Sequence, residues 1–298
     1  MPTDLLEQFS GALTARAAAV QGAVAAIRIS EPRHLTATLW QPDVAVASEQ
    51  SLPERDEFEL VVAGGSVVNA KLAGRDPGTN IATLRLERAV EVPTLMNGEV
   101  NVGALALAFG ADGAGGVSVR LGAVNLAGPE WTSSAGGRID RNIVLDLHLA
   151  RAEEGGPVLE AAGARLGIST FGPRGKVLVI PAATVERVLP ALLKDGRIAR
   201  GWLGVALQPV AVPDALHEEA GQSSGVMVMS IVADGPAAKA GVVAGDIVLA
   251  VNGTPTRSLR RIAALFASDS IGRKADLRVI RGGTVRSLRA TIEARPAG

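Results

Sequence analysis

The feature that most constrains the fold is a succession of short β-rich segments between residues 23 and 180, with no helix-like segment among them. Glycine, proline or polar residues separate each segment from the next. Many short strands in direct succession indicate an all-β sandwich or barrel. The predicted strands are Val24–Ile29, Leu35–Trp40, Phe58–Val62, Ser66–Leu72, Ala82–Leu86, Leu105–Phe109, Val117–Val124, Ile143–Leu149, Arg165–Thr170 and Lys176–Ile180.

Helix-like patterns stand on both sides of this run. Residues 3 to 20 are alanine-rich, with apolar residues mostly at helical spacing, and Pro181–Leu193 has a proline at its start and Gly196 beyond its end. A second unit follows, with predicted strands at 204–208, 226–231, 247–251, 275–280 and 285–292 and predicted helices at 236–240 and 258–267. The sequence therefore predicts an N-terminal helix over residues 1–22, a β-rich domain over 23–195 and a small domain over 200–296.

Composition excludes several classes of function. Lysine plus arginine equals aspartate plus glutamate at 30 each, so neither a nucleic-acid footprint nor a polybasic membrane surface is expected. Without cysteine there is no disulfide, thiolate catalysis or cysteine-ligated zinc, and no metal or other cofactor is predicted. The sequence shows no membrane span and no basic leader. As written it predicts a cytoplasmic protein, or a periplasmic one if the start is truncated.

Two sets of motifs occur in a defined order along the chain. The first set lies in the β-rich domain: Asp76–Leu84 (DPGTNIATL), Gly155–Leu159 (GGPVL) and Gly163–Ile168 (GARLGI). The second set opens and fills the smaller domain: Arg200–Val205 (RGWLGV), Gly225–Val228, Gly235–Gly241 and Ala244–Gly253.

In order and separation these motifs resemble those of HtrA/DegP-like serine proteases that carry a C-terminal PDZ domain. The resemblance covers the chain from about residue 20 onward. It implies a mainly β protein, with a chymotrypsin-like double β-barrel over residues 23–195 followed by an α+β PDZ domain over 200–296. Its activity class would be endopeptidase, and its setting bacterial protein quality control.

The resemblance also shows which residues stand where a catalytic triad is expected. Chymotrypsin-like catalysis needs a serine nucleophile, a histidine base and an orienting aspartate. The family's "T-x-A-H" segment corresponds to Val46–Glu49, so Glu49 takes the histidine position, and Asn80 takes the aspartate position. The family's "G-N-S-G-G-P" corresponds to residues 152–157, which places Glu154 at the nucleophile.

No shift of register restores the triad. The histidines are His34, His148 and His217, and no serine occurs between Ser134 and Ser169. Ala152 replaces the glycine of the oxyanion loop, and Glu153 adds a carboxylate where negative charge would develop. The sequence therefore predicts a pseudoprotease, with three interpretations for Glu49 and Glu154: solvated relics, ligands of a hard cation, or a new acid–base pair.

The PDZ domain suggests a binding function. PDZ domains add a peptide's C-terminus as a strand at a sheet edge and hold its carboxylate in backbone N–H groups. By resemblance the carboxylate loop is Trp202, Leu203, Gly204 and Val205, and Arg260 and Ala263 of the facing helix point to the groove. Small or aliphatic C-terminal side chains are expected there.

The predicted function is that of an inactive HtrA-like homologue that binds peptide C-termini or unfolded segments, as an adaptor, a chaperone-like binder or a regulator of an active protease relative. The alternatives are an active endopeptidase with a misaligned or unconventional site, and a structural assembly partner. HtrA-like proteases are commonly trimers joined through N-terminal aromatic residues. This chain has only Phe9 as an aromatic residue in its N-terminal helix and has no tyrosine, so the sequence does not support a trimer of that kind. Whether the chain forms another homo-oligomer is left open by the sequence.

Overall fold

The computed structural model describes residues 4–256, 262, 265–266 and 270–296. By internal contacts the chain divides into two compact units: the first ends at Ile198 and the second begins at Ala199, with Thr132–Arg138 grouped in the second. The domain boundaries taken from the sequence stay predictions. Within the described residues, no helix combines the length and apolarity needed to cross a membrane.

The first unit opens with helix α1 (Leu5–Val20), whose first turn is capped by the Asp4 carboxylate accepting from Leu6 N at 3.3 Å. Six antiparallel strands then close into a barrel in the order β1-β2-β3-β6-β5-β4. Its interior is filled by alternate apolar side chains such as Ile27, Leu39, Leu60 and Leu84. The strands are β1 (Val24–Ser30), β2 (Arg33–Gln41), β3 (Val44–Ser48), β4 (Glu57–Val61), β5 (Val67–Asp76) and β6 (Ile81–Leu86).

A second six-stranded barrel completes this unit, in the order β11-β14-β13-β12-β7-β8. Its core contains Val124, Ile143, Val158 and Val179. The barrel strands are β7 (Leu105–Ala111), β8 (Val117–Gly128), β11 (Asn142–Asp146), β12 (Pro157–Glu160), β13 (Arg165–Phe171) and β14 (Val177–Pro181). Two short strands, β9 (Trp131–Thr132) and β10 (Arg138–Ile139), pair with each other in a separate two-stranded sheet.

Helix α2 (Ala182–Asp195) follows β14 and buries one apolar face against both barrels. Val185, Val188 and Leu192 of this face belong to the same buried cluster as side chains of β3, β6 and β13. The helix ends at Asp195 and is capped by Gly196, whose φ of +71° is the left-handed conformation that glycine adopts readily. The two closed antiparallel barrels confirm the predicted mainly β, chymotrypsin-like double barrel.

The second unit is an α+β fold built on one antiparallel sheet in the order β16-β17-β18-β20-β21, with β19 paired to β18. Val226, Val228, Leu277 and Val279 lie at the centre of its core. Most of the helix predicted at 258–267 lies outside the described residues, although Ile262 is buried in this core. The elements are β15 (Gly201–Trp202), β16 (Val205–Ala211), α3 (His217–Ala220), β17 (Ser224–Ile231), α4 (Pro236–Lys239), β18 (Ile247–Val251), β19 (Thr254–Pro255), β20 (Lys274–Arg281), β21 (Thr284–Thr291) and β22 (Glu293–Ala294).

Candidate functional site

The predicted protease site lies where the loop before β12 meets the end of β3 and the end of β13. Two glycines let this loop approach the neighbouring backbone. Gly155 has φ +93°, and a Cβ on it would lie 2.4 Å from the carbonyl oxygen of Thr36. A Cβ on Gly156 would lie 1.7 Å from the carbonyl oxygen of Phe109. Only glycine fits at either position. Because the loop can therefore lie against the neighbouring backbone, the preceding residue, Glu154, lies between the two barrels.

Glu154 is buried, with 3% of its surface exposed. Its Oε1 accepts hydrogen bonds from Ser48 Oγ at 2.9 Å, Gln50 Nε2 at 2.5 Å, Thr170 Oγ1 at 2.7 Å and Phe171 N at 3.1 Å. Its Oε2 accepts from the hydroxyl of Ser51. The donors come from both barrels, so this one carboxylate joins the turn after β3 to the end of β13.

The hydrogen bonds also determine the charge of Glu154. Burial by itself raises the pKa of this carboxyl, because it penalises the charged form. The hydrogen bonds from Ser51, Gln50, Thr170 and the Phe171 N–H outweigh burial and hold the pKa of Glu154 below its ordinary value. At neutral pH the site therefore contains a hydrogen-bonded carboxylate anion.

Asn80 borders the same cluster and has a left-handed backbone, with φ +56°. Its Oδ1 accepts from Gln50 N at 2.7 Å, and its Nδ2 donates to Ser48 Oγ at 3.0 Å and Thr170 Oγ1 at 2.7 Å. Asn80 thus orients the turn Glu49–Ser51 and two of the hydroxyl groups that contact Glu154.

The structure does not bring Glu49 to Glu154. The Glu49 carboxylate points to Arg75, with 3.7 Å between Oε1 and Nη1, while its N–H donates to the Asn80 carbonyl oxygen. The next residue, Gln50, contacts both sides of the cluster: its backbone N–H donates to Asn80 Oδ1 and its side-chain Nε2 donates to Glu154 Oε1. Sequence reasoning missed Gln50 because the single turn after β3 contains both residues and the pattern alone does not show which side chain faces the cluster.

Glu153 also points away from Glu154, toward β8. Its carboxylate accepts from Ser118 Oγ at 2.7 Å, from Arg120 Nε at 3.0 Å and from Ala150 N at 2.7 Å. Burial acts to raise the pKa of Glu153, yet these donors lower it overall. Ala152 lies between Glu153 and Arg151 in the same turn, and its carbonyl oxygen accepts from Thr36 Oγ1 at 2.6 Å.

The histidines lie elsewhere. His34 Nε2 is 3.0 Å from the Ala111 carbonyl oxygen, His217 Nε2 is 2.7 Å from the Val212 carbonyl oxygen, and His148 is exposed. Across the part of the chain that the structure describes, no three His, Cys, Asp or Glu side chains are grouped to hold a metal ion. A shallow cleft of about 400 Å³ opens beside Glu154, lined by Gln50, Ser51, Arg151, Glu154, Phe171, Gly172 and Gly175.

The predicted peptide-binding loop joins β15 to β16. Gly204 has φ +75°, and a Cβ on it would lie 3.1 Å from the Trp202 ring. The carbonyl oxygens of Leu203 and Gly204 accept from Ala237 N at 2.9 Å and Val232 N at 2.8 Å, which fixes the loop. Val205 begins β16, which pairs only with β17 among the described strands and so forms one edge of the sheet. Arg260 and Ala263, the other predicted groove residues, lie outside the described residues.

Comparison with known proteins assigns the family. The family profile for the PDZ domain matches residues 201–292. Over 261 residues the chain is 33% identical to the "probable periplasmic serine endoprotease DegP-like" of Brucella suis biovar 1 (strain 1330), an alignment that covers 84% of this chain and 50% of that protein. This chain belongs to the HtrA/DegP-like family. The protein of the same name from Rhizobium meliloti (strain 1021) is 30% identical over 85% of this HtrA/DegP-like chain.

Solved structures agree with the assignment. The "HtrA-type protease AlgW with tripeptide" is 25% identical, with a TM-score of 0.70 over 96% of this chain and 98% of that one. A "serine endoprotease from Yersinia pestis" shares the fold at 22% identity, with a TM-score of 0.72 over 99% of this chain. The HtrA/DegP-like chain spans about half the length of the curated relatives that it matches.

Proposed function

We propose that this HtrA/DegP-like chain is catalytically inactive and binds peptide C-termini or unfolded segments through its PDZ domain. In that role it acts as an adaptor, a chaperone-like binder or a regulator of an active relative. The observation that carries the proposal is Glu154, which stands at the expected nucleophile position as a buried anion whose oxygens accept five hydrogen bonds.

The residues at the three triad positions lack the chemistry of acyl transfer. We propose that Gln50, rather than Glu49, stands at the histidine position, because its side chain donates to Glu154 while its backbone N–H donates to the Asn80 side chain. An amide side chain has no basic nitrogen to accept a proton, and the neutral Asn80 could not stabilise an imidazolium. The separation of Glu49 and Glu153 from Glu154 also argues against a new acid–base pair, which needs two neighbouring carboxyl groups.

The binding half of the proposal rests on the edge strand β16 and the loop before it. An edge strand offers unpaired backbone groups to an incoming peptide strand, and we expect the peptide's terminal carboxylate to bind at the loop that contains the left-handed Gly204. Leu203 before β16 and Val205 and Leu207 of β16 line one small apolar pocket. These residues favour aliphatic C-terminal side chains.

Two measurements test the proposal together. Casein and a fluorogenic peptide library are incubated with the natural chain and with its Glu154→Ala variant. We expect the natural chain to hydrolyse neither substrate faster than the variant does. Peptides ending in valine, alanine or aspartate are then titrated with the natural chain, with C-terminally amidated peptides as controls. We expect binding of the free-carboxylate aliphatic peptides alone. Turnover abolished by Glu154→Ala, or equal binding of amidated peptides, would contradict the proposal.

One contact favours the second candidate, an endopeptidase with an unconventional site. The Ser51 hydroxyl donates to Glu154 Oε2 at the edge of the cleft, as a nucleophile would to a base. A carboxylate of lowered pKa is a weak base for a hydroxyl group, which makes this candidate the less favoured. If Ser51 is the nucleophile, a fluorophosphonate probe will label the natural chain and Ser51→Ala will abolish the labelling.

A further inference from the structure

Glu153 is a buried carboxylate that the proposed function does not use. It is 4% exposed, and its charge is balanced by the half-exposed Arg120, whose Nε lies 3.0 Å from both carboxylate oxygens. Ser118 donates to the same carboxylate from the same side of β8. Gly110 on β7 leaves space for Glu153, since a Cβ there would lie 2.5 Å from Glu153 Cγ. Gly110, Ser118 and Arg120 thus form a charged pocket that fits the Glu153 side chain.

The Glu153 carboxylate also fixes the conformation of the backbone just before Glu154. The Glu153 carboxylate accepts from Ala150 N at 2.7 Å while Glu153 N donates to Ala150 O at 2.9 Å, and this reciprocal pair closes a single 3-10 turn over Arg151–Glu153. Because the turn is closed, the Glu154 N–H is directed at the Arg151 carbonyl oxygen, 3.4 Å away.

The direction of that N–H decides whether an oxyanion can be stabilised. In chymotrypsin-like enzymes the oxyanion hole includes the backbone N–H of the nucleophile position. Here the Arg151 carbonyl oxygen accepts from that N–H, and a carbonyl dipole repels a developing oxyanion. The block arises from the backbone conformation and is separate from the loss of the triad side chains.

We infer that the Glu153–Arg120 pair is a second block on catalysis, which holds residues 150–154 in a turn that closes the oxyanion hole. The inference rests on the proposed inactive function and extends it, because it implies that a restored triad alone stays inert. Glu153 and Arg120 are positioning residues in this scheme. Neither contacts a reacting atom.

The test compares restored variants. The parent carries Glu154→Ser, Gln50→His and Asn80→Asp, and it is combined with Glu153→Asn, with Arg120→Ala or with Arg120→Lys. The matched control combines the parent with Arg28→Ala, which removes the exposed Arg28–Glu59 ion pair of 3.1 Å in the first barrel. Reaction with a fluorophosphonate probe is measured because it needs both a nucleophile and an oxyanion hole.

We expect the parent, the Arg28→Ala control and the Arg120→Lys variant, which keeps the charge, to react at the background rate of a Glu154→Ala chain. Glu153→Asn or Arg120→Ala is expected to raise the rate about 100-fold, the usual effect of one oxyanion-hole donor. A role in stability alone would change the melting temperature of these variants and leave their labelling rates equal.

Thermal unfolding of each variant is recorded first, and if Glu153→Asn does not fold, Arg120→Ala carries the comparison. If the folded parent and its Glu153→Asn and Arg120→Ala variants are labelled at equal rates, whether fast or at background, the inference is overturned and the proposed function stands. Labelling of the natural chain overturns the proposed function and the inference with it.

Discussion

At the scale of single residues, the candidate site is organised around one buried carboxylate, Glu154. A serine at position 154 would present one hydroxyl group to the cleft. Glu154 instead uses two oxygens to accept from donors on the turn after β3 and on β13. A carboxylate accepting several hydrogen bonds in a buried place is stabilised as an anion, and the donors depend on it in turn, since unpaired buried donors are costly.

Substitution of Glu154 by glutamine is the first prediction. The amide oxygen of the new side chain would still accept from the donors that now contact Oε1, but its amide nitrogen would face the Ser51 hydroxyl and the charge would be lost. We expect the free energy of unfolding at pH 7 to fall by about 2 kcal/mol. Urea unfolding measures this, and Glu54→Gln, at an exposed position, is the control that should change nothing. An unchanged stability would mean that the carboxylate charge contributes nothing.

The lowered pKa of Glu154 gives the prediction its pH dependence. A group whose folded-state pKa lies below its unfolded value of about 4.3 contributes stability above that value and loses the contribution as the pH falls through the folded pKa. The difference in stability between the natural chain and Glu154→Gln should therefore be largest at neutral pH and shrink below about pH 4. A difference that grows with acidity would contradict the sign of the pKa shift.

At the scale of elements, glycines set the distances between strands and loops. Gly156 allows the start of β12 to lie against β7, where a Cβ would come 1.7 Å from a carbonyl oxygen. A backbone carbonyl held in a barrel cannot move as the end of a flexible side chain can. The approach of the loop to the barrel therefore depends on the absence of one side chain.

Gly156→Ala is predicted to lower the free energy of unfolding by more than about 3 kcal/mol, through overpacking against the Phe109 carbonyl. Gly11→Ala is the matched control. Gly11 lies on α1 with open space around its Cβ position, so alanine there should raise stability by about 0.5–1 kcal/mol. Differential scanning calorimetry compares the two, and a mild effect at position 156 would show that β12 can shift.

Gly204→Ala is predicted to weaken peptide binding at the PDZ loop by about tenfold. The added methyl group meets the Trp202 ring at 3.1 Å and strains a residue with φ +75°, so the loop shifts. Gly283→Ala, in the β20–β21 turn with φ +79° and open space, carries a similar backbone strain away from the loop. Isothermal titration with a valine-terminated peptide should separate the two variants, and equal affinities would argue against this loop as the carboxylate site.

At the scale of the whole molecule, three buried carboxylates among the described residues have lowered pKa values, and both units contain at least one. Glu153 and Glu154 lie in the double barrel, and Asp246 lies in the PDZ unit. Asp246 is buried and accepts from Arg281 Nε and Nη2 at 2.7 Å, which lowers the pKa of Asp246 although burial opposes it. Each unit therefore depends on anions that acid neutralises.

The chain is therefore predicted to lose stability as the pH falls below about 4, where these carboxylates bind protons more strongly in the unfolded state. Asp246→Ala removes the acceptor of hydrogen bonds from Arg281 and from Val243 N, and should cost the PDZ unit about 2 kcal/mol at neutral pH. Urea unfolding followed by tryptophan fluorescence between pH 3 and pH 7 checks both. Constant stability across that range would contradict the lowered pKa values.

The sequence by itself determined the architecture of this protein. Alternating apolar residues in short segments specify strands, and the glycine and proline residues between them specify turns, because these choices depend on local backbone geometry. The motif order indicated the HtrA/DegP-like family, and the family pattern predicted Asn80, Glu154 and the loop Trp202–Val205 as site residues.

Only the tertiary structure decided which side chains meet. Gln50 and Glu154 are far apart in the chain, and within a single turn the choice between Glu49 and Gln50 depends on neighbours supplied by the other barrel. The same holds for Glu153. The sequence predicted its carboxylate in the oxyanion loop, whereas in the structure that carboxylate accepts from Arg120. Contacts between distant segments follow from how the barrels close and pack, and no local pattern contains that information.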